Sequence, residues 1–197
     1  YYSSDDPGVV ARHMELLTTA GVDYICMDLS NAFVYTKTIN VIFQTLDKFQ
    51  KQGFKVPKVT FLTNSQSGKV MKTFYENWYK KGLYSSLWYT HGDDPRPMMI
   101  GDVDDLKKNF PKYYDEIVQF CNIRATQWPQ FPVNKENGFP WMDWKYEQTI
   151  YNDGTISVSL DQHTGCNCAN GPETNMGRGF AYDIYENSTD RVAAGSH

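Results

Sequence analysis

Apolar positions along this chain switch between a helical period and continuous runs, and glycine marks the switches. Asp6 and Pro7 supply a cap and a first-turn proline. Val9, Val10, His13, Met14, Leu16, Leu17 and Ala20 then follow helical spacing until Gly21, with His13 read as a packing residue. Val22-Asp-Tyr-Ile-Cys-Met-Asp28 follows at once, an almost uninterrupted apolar run that predicts a buried parallel strand. The same grammar returns with Ile39, Ile42, Phe43, Leu46 and Phe49 on one helical face, Gly53 as terminator, Pro57 as entry and Val59 to Leu62 as strand. A third helix carries Val70, Met71, Phe74, Tyr75 and Trp78 before Gly82. Helix, glycine and strand in repetition predict a parallel α/β sheet.

Beyond Gly82 the pattern loosens. Ser86 to Tyr89 and Pro97 to Ile100 read as short strands of a hairpin-like excursion around the turn-rich residues His91 to Arg96. A helix is expected around Tyr113 to Val118, then a strand over Phe120 to Arg124. Residues 128–143 are rich in Pro, Asn, Gly and Trp and too long for a mere connection, so they are read as a loop covering a site. Ile156 to His163 alternates like a strand with polar residues at its end, and residues 164–179 form a Gly- and Asn-rich loop with Arg178 near its close.

The predicted strands share one property: they run apolar and then stop on hydrogen-bonding side chains, as at Asp28 and Asn31, at Thr63 and Asn64, and at Arg124. The C-terminal tips of parallel strands are where α/β barrels keep their chemistry. Asp28 is therefore the leading catalytic candidate, with helix capping or pairing to Arg124 as its structural alternatives. Asn31 and Asn64 can both donate to and accept from sugar hydroxyls, or serve turn chemistry. Arg124 either orients an acid or grips an anionic group. Asp161 and His163 lie two apart on one strand, share a face, and are the second catalytic candidates. Trp128, Trp141 and Trp144 are the preferred stacking platforms, ahead of Trp88, because a loop has no core to fill.

Composition narrows the class. With 19 basic and 23 acidic residues the net charge is −4, which argues against a partner that presents a phosphate backbone. No apolar stretch approaches the roughly 18 residues a membrane span requires. Aromatics form 15% of the chain, which fits either a cleft that stacks on sugar rings or a large aromatic core. Cys26 and Cys121 fall in predicted strands and read as small hydrophobes. Cys166 and Cys168 lie near His163 but lack the second ligand pair of a closed zinc site, so neither metal nor cofactor is expected. Phosphate-cradling glycine loops, nucleophile elbows and dinucleotide fingerprints are missing from the sequence. The chain opens Tyr1-Tyr2-Ser3 and is read as mature or trimmed, soluble protein.

Three stretches, Tyr1-Tyr-Ser-Ser-Asp-Asp-Pro7, Ala11-Arg-His-Met-Glu-Leu-Leu17 and Ala20-Gly-Val-Asp-Tyr-Ile-Cys-Met-Asp28, resemble the opening of bacterial glycoside hydrolases of the family 99 and family 71-like, endo-mannosidase-like group. Pro95-Arg-Pro-Met-Met-Ile100, Ile123-Arg-Ala-Thr-Gln-Trp128 and Gly177-Arg-Gly-Phe180 are similar to later strands and loops of that group. The resemblance implies a (β/α)8 TIM-barrel fold, a secreted, periplasmic or cell-surface setting and a glycan or oligosaccharide substrate. At 197 residues, against about 250 for a full barrel, the expectation is a single partial barrel domain over 1–197, lacking the family's first strand and its last, acidic one. The expected activity is hydrolysis of a glycosidic bond by carboxylate acid/base chemistry. The alternative is a non-catalytic carbohydrate-binding protein on the same scaffold.

Overall fold

A computed structural model describes residues 3–127, 137–140, 151, 154 and 155. It divides into two compact units, Tyr1–Arg124 and Ala125–His197. The first is α/β, with helices α1 (Pro7–Thr19), α2 (Thr36–Lys51), α3 (Ser67–Phe74), α4 (Val103–Asn109) and α5 (Pro111–Phe120). Its strands are β1 (Tyr24–Leu29), β2 (Lys58–Thr63), β3 (Met98–Ile100) and the start of β4 (Asn122–Gln127). All strand pairs are parallel and the order follows the chain, β1-β2-β3-β4. The end of β4 lies in the second unit, where Ala125, Thr126 and Gln127 pair in parallel with Gly138, Phe139 and Pro140 of β5 (Gly138–Pro140), the fifth strand. In that unit Tyr151 and Thr155 close a turn through Tyr151 N–H to Thr155 O at 2.9 Å.

The sequence punctuation works as read. Asp6 Oδ1 accepts from the N–H groups of Gly8 and Val9 at 2.7 and 3.1 Å, satisfying amides that the first turn of α1 leaves open. Gly21 at φ +73° turns the chain directly into β1, a conformation that suits glycine. Three readings change. The strand expected over Phe120 to Arg124 runs Asn122–Gln127, so Phe120 closes α5 and Arg124 lies within the strand. His13 is exposed, because the buried stripe of α1 runs through Val10 and Met14. Ser85–Leu87 forms a 3₁₀ turn in place of a strand.

The excursion is nonetheless hairpin-like, since Thr90 bridges Pro97 antiparallel. It also splits the sheet. Tyr89 N–H donates to Val59 O at 3.0 Å and Tyr89 O accepts from Met98 N–H at 2.8 Å, so this segment is wedged between the entering halves of β2 and β3. These two strands consequently meet in register only at Leu62 and Ile100.

One face of the four-stranded part carries the main core, where Leu29, Val59, Phe61 and Met99 pack with Val10, Ile39, Phe43, Leu106 and Ile117 of the helices. Aromatics dominate it: Phe61 stacks on Phe74 at 3.8 Å, Phe43 on Tyr84 at 5.1 Å, and Tyr79 lies 4.6 Å from Trp88. The alternative of an aromatic core thus accounts for much of the aromatic content of the described residues. Trp88 belongs to it, with its Nε1–H bonded to Leu83 O at 3.0 Å, and is no platform. Cys121 is buried just before β4, and burial pushes its thiol well above the usual range, whereas Cys26 is exposed on the opposite face of β1.

Candidate functional site

Strand register decides which side chains can meet. Partners across a parallel sheet share a face, and the registers of the first four strands align Asp28 with Leu62, Leu62 with Ile100 and Ile100 with Arg124. A single row therefore crosses the sheet with a carboxylate at one end, a guanidinium at the other and two buried aliphatics between them. This row lies on the face away from the helices, because Leu29, Phe61 and Met99, its immediate neighbours, belong to the helix-packed core. The two charged residues are three strand spacings apart, about 14 Å over a flat sheet at about 4.8 Å per strand. The two charged residues thus share one face of the sheet from its first and fourth strands.

Asp28 is exposed, and its Oδ1 accepts from Ser30 N–H at 2.8 Å, a local turn that fixes the carboxylate through one of its two oxygens. Arg124 is half-buried. Asn31 is held by its own loop: Oδ1 accepts from Phe33 N–H at 3.2 Å and Nδ2 donates to Tyr35 Oη at 2.5 Å. Asn64 is exposed at the tip of β2, and the next residue ties its loop to that of β1 through Ser65 N–H to Ser30 O at 2.9 Å. Of the four described candidates, Asp28, Asn31 and Asn64 therefore stand at or just beyond the tips of β1 and β2, whereas Arg124 lies in mid-strand, with β4 running on to Gln127. Asp161, His163, Trp128, Trp141, Trp144 and Arg178 lie outside the described residues, as do Cys166 and Cys168.

A floor of hydroxyls supports this edge. Thr63 Oγ1 donates to Ile100 O at 3.1 Å and meets Ser67 Oγ at 2.6 Å, and Ser67 Oγ accepts from Asp102 N–H at 2.8 Å. The exits of β2 and β3 are thereby locked to each other and to the start of α3. Gly101 is tight because a Cβ there would lie 2.8 Å from Ser67 Oγ and 2.9 Å from Met71 Sδ.

Sequence reasoning passed over a second strand-tip carboxylate. Asp102 follows β3 and is exposed, but its Oδ1 accepts from Asp104 and Asp105 N–H at 2.9 and 3.2 Å, so it caps α4. Its signal was the pattern Gly101-Asp102-Val103-Asp104-Asp105 after an apolar triplet. Also passed over were Phe33 and Tyr35, 58% and 42% exposed on the loop after β1.

A cavity of 360 Å³ lined by Glu15, Thr18, Thr19, Phe49, Gln52 and Phe54 opens elsewhere, where α1 and α2 end and the strands enter. In parallel α/β folds that end serves stability, and none of the candidates lines it. Among the described residues no group of three or more His, Cys, Asp or Glu side chains is placed to hold a metal ion. None of their helices is long and apolar enough to cross a membrane. Comparison with family models, with curated proteins and with solved structures finds no match to this chain.

Proposed function

We propose that the chain is part of a glycoside hydrolase of the family 99 and family 71-like kind, built on an incomplete (β/α)8 barrel and working on a glycan in a secreted or periplasmic setting. Two features of the fold support the barrel. The strands follow chain order with no reversal, and the helices of the first unit share one core on one face of the sheet. A doubly wound sheet reverses its order and covers both faces, whereas a barrel does neither.

The observation that carries the catalytic reading is the Asp28 to Arg124 row, which turns a fixed carboxylate toward the face a barrel would enclose. Glycosidic hydrolysis needs two carboxyl groups about the scissile oxygen, one to protonate the leaving group and one to attack or to activate water. Asp28 supplies one from the described residues. Asp161 with His163 remains the proposed acid-base partner. Asp28→Asn in the complete protein is expected to abolish turnover of a glycan substrate while affinity stays within about twofold, as befits a group needed at the transition state. Unchanged turnover removes Asp28 from the mechanism.

One observation favours the alternative of a non-catalytic carbohydrate binder: both described tip carboxylates, Asp28 and Asp102, already spend an oxygen on local amides. Mass spectrometry of oligosaccharides incubated with the protein separates the two readings, since a binder leaves chain lengths unaltered.

A further inference from the structure

The loop between β1 and α2 presents two aromatic rings to solvent although it is only six residues long, Ser30 to Tyr35. Phe33 is 58% exposed and Tyr35 42% exposed. Their rings meet edge to face, with centroids 4.7 Å apart and planes inclined at 65°. One ring therefore offers a flat apolar face while the other closes its side. The loop is braced to hold them. Asn31 Oδ1 accepts from Phe33 N–H at 3.2 Å, Thr36 N–H donates to Val34 O at 2.8 Å, and Ala32 sits at φ +67°, where non-glycine residues seldom reside.

Hydrogen bonding adds a polar handle. Tyr35 Oη accepts from Asn31 Nδ2, so its own O–H remains to donate, and Asn31 Nδ2 keeps a second hydrogen. An apolar ring face next to outward donors matches a pyranose, which has a face of C–H groups and a rim of hydroxyls. The loop leaves β1 two residues after Asp28, on the strand-tip edge of the first unit.

We propose that Phe33 and Tyr35 form a pyranose-stacking subsite beside Asp28, with Phe33 as the platform and the Tyr35 hydroxyl and Asn31 amide binding a sugar hydroxyl. The proposal rests on the glycan reading and adds to it where one sugar unit is held. It adds to the expected loop tryptophans a stacking position on a braced loop that the sequence reading passed over.

The test is calorimetric titration of the full chain with gluco-, manno-, galacto- and xylo-tetraoses, followed by proton NMR of the one that binds. With Phe33→Ala the expected loss of affinity is about tenfold, with Phe33→Leu about the same, and with Tyr35→Phe about threefold. Phe33→Leu keeps apolar bulk on the loop, so its loss identifies the ring itself; circular dichroism checks that each variant keeps its fold. The sugar C–H protons are expected to move upfield on the wild type through the ring current and not on Phe33→Leu. Unchanged affinity and shifts in both Phe33 variants overturn the subsite and leave the glycan reading standing. Failure of the wild type to bind any of the four overturns both. Loss of affinity at Phe33 with full turnover in Asp28→Asn supports the subsite and removes the carboxylate assignment.

Discussion

Single residues in this chain are governed by whether a polar atom finds a partner. Trp78, fully buried, is served by its Nε1–H bond to Asn40 Oδ1 at 2.9 Å. Tyr79, its neighbour in sequence, packs its ring among Phe61, Phe74 and Trp88, and its buried hydroxyl has no hydrogen-bond partner among the described residues. A buried hydroxyl without a partner costs about 1–3 kcal/mol of desolvation. Tyr79→Phe is therefore expected to raise stability by about 1 kcal/mol in denaturant unfolding, against the usual direction for a core change; a clear loss would show that the hydroxyl is bonded. The same reasoning separates the candidates at the strand tips. Asn31 has its Oδ1 and one Nδ2 hydrogen committed to its loop and keeps one hydrogen to donate, whereas Asp28 commits only Oδ1 to a local amide.

Elements are joined by contacts that no local rule anticipates. Helix α3 is preceded at its cap position by Gln66, which is left-handed at φ +50° and gives no side-chain cap, so its first amides need help from elsewhere. Asp105 of α4 provides it, with Oδ2 accepting from Gly68 N–H at 2.7 Å. The approach is so close that a Cβ on Gly68 would sit 2.6 Å from Leu106 Cα. Gly68→Ala forces the backbones of α3 and α4 apart, whereas Gly101→Ala presses on side chains, including Thr63 Oγ1, that can partly give way. Both are expected to destabilise, Gly68→Ala by about 3 kcal/mol and Gly101→Ala by about 1 kcal/mol, measured from urea midpoints at constant slope. Equal or negligible losses would mean that the two helices are not in backbone contact. After Phe74 the helix continues as a π-helical turn, Tyr75–Tyr79, which swings Tyr75 to donate to Glu116 Oε1 of α5 at 3.0 Å.

Across the whole molecule, the resolved titration shifts bracket a plateau. Lys80 and then Tyr75 hold the Glu116 carboxyl below its ordinary 4.5, and Lys72 does the same to Glu76. A carboxyl with a lowered folded-state pKa gives stability that is complete above the unfolded value and lost as pH falls through the folded one, so this part fades below about pH 4.5. The Lys80–Glu116 pair is exposed and the Lys72–Glu76 pair half-buried, so the effect is small and salt-sensitive. At the other end, burial first, then the Glu116 bond, pushes Tyr75 up to about 12, and burial with the neighbouring Tyr89 does the same to Tyr24. A raised tyrosine favours the folded state less as pH climbs, so stability falls between about 10 and 12. Denaturant midpoints across pH are expected to be flat from about 5 to 9 and to decline on both sides; a midpoint still rising above pH 10 would contradict the tyrosine burial.

Periodicity, caps and glycines determined the order of the early elements, because those signals act over a few residues: Asp6-Pro7 opens α1, Gly21 and Gly53 end helices, and the continuous apolar runs become β1 and β2. They also placed Asp28 and Asn64 at strand ends, but not Arg124, which the continuation of β4 to Gln127 leaves in mid-strand. Helix α4 was not read, since its seven residues carry one buried position, Leu106, too few to show a period. Only the tertiary structure decided what those ends can do, since register between strands tens of residues apart put Asp28 and Arg124 on one row and one face. The wedge at Tyr89, the cap from Asp105 and the outward rings of Phe33 and Tyr35 were likewise beyond local reading. Each depends on which distant backbone arrives alongside, and that is settled by packing the whole core at once.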